Sequence, residues 1–248
     1  MMNKLMNQES LTLASLHSMV AGCNLCADML DTSKVTRCSA AGPQQSSLFI
    51  VSQALARDTQ RVSGIPYVLP SGVLSETGKS LERFLNRLGF SLLPTRKLMN
   101  GDIQVSLATN GYRQVYNSEI VQCFPGRPDA GEGDKFPTLA AKLCMEQQFL
   151  KREIELLDPS VILLLGNNTA KWFQRYLVGK NMFQSTITST LNRLDPDSSF
   201  VRIKIGRRIR HVVRLIHPSG MTRGKFRDLV ENNNNLVSAI RNHLCVSE

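Results

Sequence analysis

Cys23 and Cys26 stand two residues apart, a spacing at which two thiolates on one turn bind a single metal ion or cluster without straining the backbone. Thioredoxin-type redox chemistry needs a strand just before such a pair, and none is legible there. Cys123 follows a predicted strand and Cys144 falls in the first turns of a predicted helix. Taken singly, each of these reads equally well as core packing. His217-Pro218-Ser219 follows the last predicted strand, where an imidazole can donate to a developing negative charge. From Arg202 to Arg227 there are nine basic residues and no acidic one: Arg202, Lys204, Arg207, Arg208, Arg210, Arg214, Arg223, Lys225 and Arg227. Such a stretch beside His217 suits phosphate contacts, with Arg214, Ser219 and Arg223 the nearest candidates.

The 248 residues include 30 Lys and Arg against 20 Asp and Glu, with 42% hydrophobic residues and six cysteines. The apolar fraction excludes a disordered chain, and the pI near 9.6 favours a polyanionic partner. The longest clean apolar run, Val161 to Leu165, falls far short of the roughly 18 residues of a membrane span. Lys4 is the one Lys or Arg among the first twenty residues, and polar residues interrupt any secretory core there. A cytoplasmic, nucleoid-associated protein of bacterial type is expected, in which cysteines serve as ligands, catalytic groups or core residues rather than disulfides.

Leu13, Leu16 and Val20 predict a helix starting near Ser10, followed by a strand over 47–51 and a loop to Gly72. Leu81, Phe84, Leu85 and Leu88 predict a helix that Gly89 stops. A strand at Glu119–Gln122, one long helix through Leu143 to Leu157 and a buried strand at 161–165 follow. A helix through Trp172, strands around 201–205 and 212–216, and a closing helix from Phe226 to Ile240 complete the pattern. This alternation predicts a single domain over 1–248: a three-layer α/β/α sandwich around a mainly parallel sheet of about four strands. Residues 1–45 form an N-terminal helical segment carrying Cys23 and Cys26, and 91–114 read as an insertion. In such sheets, sites lie just beyond the carboxyl ends of the strands.

Several segments carry a resemblance: Cys23-x-x-Cys26, Gly64-Ile65-Pro66-Tyr67-Val68, Gln122-Cys123-Phe124-Pro125, Pro137-Thr138 leading to Cys144, Asp158-Pro159-Ser160, Leu165-Gly166 and His217-Pro218-Ser219. In this order the chain resembles the iron–sulfur (family 4) uracil-DNA glycosylases. The resemblance implies a [4Fe–4S] cluster on Cys23, Cys26, Cys123 and Cys144, although a zinc ion would use the same four thiolates. It also implies a monomer that binds DNA, with neither a membrane nor an obligate protein partner.

The family's pocket motifs are altered here. Its Gly-Glu-Ala-Pro-Gly loop reads Ser52-Gln53-Ala54-Leu55-Ala56-Arg57-Asp58, so Gln53 replaces a Glu and cannot act as a base. Gln53 and Ala54 remain base-pocket candidates, and Asp58 is the nearest carboxylate for orienting water or stabilising the sugar cation. Tyr67 takes the stacking position of the family's Phe. Glu119 stands four residues before Cys123, at the place of the family's uracil-reading Asn; an offset of two would put Asn117 there instead. An ionised Glu119 would repel uracil O4 but accept from the amino group of cytosine. The expected activity is therefore excision of a modified cytosine, such as the glucosylated hydroxymethylcytosine of phage DNA, in antiviral defence. Uracil excision in DNA repair and a catalytically silent DNA-binding protein are the alternatives. The sugar chemistry would rest on His217, Asp58 and Gln53.

Overall fold

The computed structural model describes residues 11–26, 42–43, 45–54, 66–67, 69, 73–92, 96–99, 102–105, 112–122, 138–179, 183, 200–219 and 222–245. The first helix, α1 (Leu13–Gly22), starts two residues later than Ser10 would place it. Thr12 is its cap: Thr12 Oγ1 accepts from Ser15 N at 3.1 Å, and Ser15 Oγ accepts from Thr12 N at 3.0 Å. Leu16 and Val20 bury that helix against Phe149.

The main sheet has five strands, β1 (Leu48–Ala54), β6 (Tyr116–Val121), β7 (Val161–Leu165), β8 (Phe200–Ile205) and β9 (Arg208–Leu215). Their order across the sheet is β6-β1-β7-β9-β8. The first four are mutually parallel, and β8 adds an antiparallel edge through a turn at Gly206 and Arg207. Helices cover both faces, which is why β7 can be apolar at every position. On one face α2 (Glu76–Leu88), α6 (Arg223–Asn232) and α7 (Asn234–Cys245) pack over Leu48, Ile50, Leu163 and Leu215. On the other, α3 (Thr138–Glu146), α4 (Phe149–Leu157) and α5 (Asn167–Phe173) pack over Phe49, Val51, Ile162 and Leu164. The expected α/β/α sandwich is present, with one strand more than the four expected.

Two predicted helices are each broken. Gln148 adopts φ +57° between α3 and α4, and Asn233 separates α6 from α7 while its Oδ1 accepts from Leu236 N at 2.9 Å. Around 91–114, among the described residues, β3 (Arg96–Met99) and β4 (Asp102–Val105) pair only with each other, while β2 (Phe90–Ser91) pairs with β5 (Arg113–Gln114). Both ladders lie apart from the main sheet. Among the described residues, no helix is long and apolar enough to cross a membrane.

Candidate active site

The chain runs from β1 outward to β6 on one side and then to β7 and β9 on the other, so the direction of winding changes at β1. Carboxyl strand ends at such a switch point diverge and leave a crevice. Ser52, Gln53 and Ala54 end β1, Glu119 lies near the end of β6, Gly166 follows β7, and His217 comes two residues after β9. Gly166 N donates to Leu215 O at 2.8 Å, which ties the exits of β7 and β9 together. Gly166 has φ +94°, and a Cβ there would touch the Cβ of His217 at 3.4 Å. A glycine lets the two loops approach this closely.

Glu119 pairs across the ladder with Ser52 and is 2% exposed. Ser52 Oγ donates to Glu119 Oε1 at 3.1 Å and lies 2.5 Å from the Tyr67 hydroxyl. Tyr67 holds its proton far above neutrality, through burial first and the nearby Glu119 second, so its hydroxyl donates to Ser52. Glu119 Oε2 is buried and has no hydrogen-bond partner among the described residues. Burial pushes the Glu119 carboxyl up to about 8, against the smaller opposing effect of the Ser52 bond. Among the described residues no cation offsets this desolvation, which favours the neutral carboxyl over the ionised form expected from the sequence. Asn117 lies one pleat deeper on the same face, opposite Ile50, with its Oδ1 also buried and without a partner among the described residues. The strand end belongs to Glu119.

Tyr67 is held in an unusual conformation, φ +70°, by the start of α2. Its carbonyl accepts from Ser75 N at 2.8 Å, while Ser75 Oγ caps the helix by accepting from Gly78 N at 3.1 Å. Any Cβ on Gly78 would stand 2.9 Å from both the Cβ and the carbonyl oxygen of Tyr67. This glycine is what lets the helix press the tyrosine toward Ser52.

His217 is partly buried, and desolvation drives its imidazole down to about 4. It is neutral at pH 7, with Nδ1 2.7 Å from Ser219 Oγ. Thr222 Oγ1 donates to the carbonyls of His217 and Ser219 at 2.5 and 2.7 Å, closing the loop before α6. When the Ser219 hydroxyl donates to Nδ1, the other ring nitrogen carries the proton and becomes the donor. Gln53 is half-buried, and its Oε1 is 3.4 Å from Asn168 Nδ2 at the start of α5.

The basic stretch is divided between the two ends of the sheet. Arg207, Arg208 and Arg210 lie at the turn joining β8 to β9, at the end away from His217. Asp158 engages Arg208 and Arg210 there, each at 2.7 Å. Nine charges beside the site is thus too many, because alternation along a strand sets the face and not the end. Arg214 remains near the carboxyl end of β9, its guanidinium 4.6 Å above the Phe183 ring. Arg223 opens α6 and stands 3.9 Å from Glu76.

Cys26 and Cys144 are buried and Cys23 half-buried. The Cys26 thiol is pushed up to about 11, by burial first and then by its neighbours Cys144 and Cys23. A cationic centre would reverse that repulsion, so this donor set suits a thiophilic metal or cluster. Among the described residues, no three His, Cys, Asp or Glu side chains converge closely enough to hold a metal ion. Cys123 and Asp58 lie outside the described residues.

Sequence reasoning overlooked Ser52, Gly78 and Asn168. Ser52 had a signal: alternation from Leu48 and Ile50 points it to the same face, as the first polar residue in that series.

The profile of the Uracil DNA glycosylase superfamily matches residues 40–245. The chain belongs to this superfamily. No curated protein matches it. Membership in the uracil DNA glycosylase superfamily brings an activity class, hydrolysis of the base–sugar bond, and DNA as the partner.

Proposed function

We propose that this superfamily member excises a modified cytosine, such as a glucosylated hydroxymethylcytosine, and serves in defence against phage DNA. The observation that carries the reading is Glu119, a buried carboxyl on the strand end with one oxygen free for a base. A carboxyl oxygen accepts from the cytosine amino group, which uracil lacks. The extruded base stacks on Tyr67 while Glu119 reads its edge. The bond from the sugar C1′ to the base nitrogen breaks with its electron pair on the base. The neutral His217 donates to the base O2, where the negative charge collects. Asp58 orients the water that adds to C1′, and Gln53, unable to take a proton, positions polar groups near the sugar. Arg214, Ser219 and Arg223 hold the backbone phosphates. The loss of glycine and proline from the loop after β1, together with the extra strands in 91–114, makes room for a base substituent.

Cys23, Cys26, Cys123 and Cys144 are assigned to a [4Fe–4S] cluster, with zinc as the alternative metal. Either would join the exit of α1 to α3 and take no part in breaking the base–sugar bond.

The test is abasic-site formation in duplexes carrying uracil, cytosine, hydroxymethylcytosine or its glucosylated form. Excision of a modified cytosine in preference to uracil is expected. Excision of uracil alone would return the chain to ordinary repair, and DNA binding without any excision would make it a silent binder.

A further inference from the structure

Two buried glutamates lie on opposite sides of the β6 layer, and their surroundings differ. Glu153, on α4, is fully buried and accepts from Ser118 Oγ at 2.5 Å, Gln122 Nε2 at 3.0 Å and the Tyr116 hydroxyl at 3.5 Å. His17 Nε2 lies 3.6 Å away. Both of its oxygens are thus satisfied by donors from β6 and from Gln122 just beyond it. Among the described residues, Glu119 has a single donor, Ser52, and a second oxygen with no partner. Among the described residues, the titratable group facing it is the Tyr67 hydroxyl across Ser52; β1 contributes Ser52, and Asn117 on its own strand is neutral. Among the described residues, no Lys, Arg or His acts on it.

We propose that Glu119 reads the extruded base as a carboxylic acid, with Oε1 as the acceptor and a proton on Oε2 as the donor. This inference rests on the glycosylase reading above and adds the chemistry of recognition to it. The Ser52 bond makes Oε1 the carbonyl-like oxygen and leaves the hydroxyl on Oε2. The acid then matches two adjacent atoms of cytosine: Oε1 accepts from the N4 amino group, and Oε2 donates to N3. Ionisation removes the second bond and sets two lone-pair atoms, Oε2 and N3, against each other. Specificity thus requires the proton, and an amide of the same length would supply a donor and an acceptor permanently.

The experiment is single-turnover excision from a duplex containing one glucosylated hydroxymethylcytosine, measured from pH 6.5 to 9.5 with the wild type and Glu119→Gln. The wild-type rate is expected to fall about tenfold per unit above pH 8, while Glu119→Gln stays flat through the same range. A wild-type rate that stays level to pH 9.5, with an inactive Glu119→Gln, would overturn the proposal and leave the glycosylase reading standing. The second measurement needs no substrate: the infrared difference between wild type and Glu119→Gln should show a protonated-carboxyl carbonyl band at pH 7 that is lost at alkaline pH. Absence of that band overturns the proposal. Its presence in a protein that cuts no base supports the acid and refutes the glycosylase reading instead.

Discussion

Gly78→Ala tests how the molecule holds Tyr67, the residue proposed to stack on the base. The new Cβ would stand 2.9 Å from the Cβ and carbonyl oxygen of Tyr67 and 3.3 Å from the Leu74 Cβ. Ordinary carbon–carbon contact is about 3.5 to 4.0 Å, so Tyr67 must retreat by more than half an ångström. The global cost is small: overpacking of about 1 to 3 kcal/mol is partly offset by up to about 1 kcal/mol of helix propensity. At roughly 2 to 4 °C per kcal/mol, melting should fall by no more than about 10 °C. The functional cost is larger in proportion. A displaced Tyr67 loses its 2.5 Å contact with Ser52 and its stacking position. Base–aromatic stacking is worth about 1 to 3 kcal/mol, or about 5- to 150-fold in kcat/KM. The assay is kcat/KM for excision by Gly78→Ala, Tyr67→Ala and the double variant, alongside melting curves. If the glycine acts through the tyrosine, the double variant is no slower than Tyr67→Ala alone. Additive losses, or wild-type kinetics in Gly78→Ala, would refute the reasoning.

Three further outcomes follow from the same geometry. His217 titrates at about 4 in the folded protein against 6.5 when unperturbed, so the unfolded chain binds its proton first as pH falls. Its contribution, at most about 3 kcal/mol, is complete above pH 6.5 and lost as pH drops through 4, and denaturant titrations should show His217→Gln lacking that part of the acid sensitivity. Glu153→Leu leaves Ser118, Gln122 and Tyr116 with donors facing an apolar side chain; a loss of about 3 to 5 kcal/mol in denaturant unfolding is expected. Purified protein should be brown with iron and sulfide bound, and Cys144→Ser should lose both colour and iron, whereas colourless protein with stoichiometric zinc would assign the alternative metal.

Much of the scaffold was legible because burial on both faces leaves uninterrupted apolar runs, as at Val161–Leu165. The helix break at Gln148 was not, since Leu143, Leu150, Ile154 and Leu157 keep their spacing across it and glutamine carries no signal for φ +57°. The break at Asn233 did carry one, a run of four asparagines able to cap a helix. Residue order placed His217 after its strand and Glu119 within its own, near the carboxyl end that the structure shows. It could not reveal that no described residue gives Glu119 a counter-charge, because ionisation depends on what the other strands and helices bring. The end to which each arginine belongs was hidden for the same reason: the turn at Gly206 reverses the chain and carries Arg207 and Arg208 away from His217.

The central claim is that Glu119 chooses the base, and Glu119→Asn addresses it most directly. The quantity to measure is the ratio of single-turnover excision rates for glucosylated hydroxymethylcytosine and uracil, at pH 7 in matched duplexes. A paired base contact discriminates by about 1 to 3 kcal/mol, so the ratio should move toward uracil by about 5- to 150-fold. An unchanged ratio in a folded variant would contradict the account and place base selection on other residues.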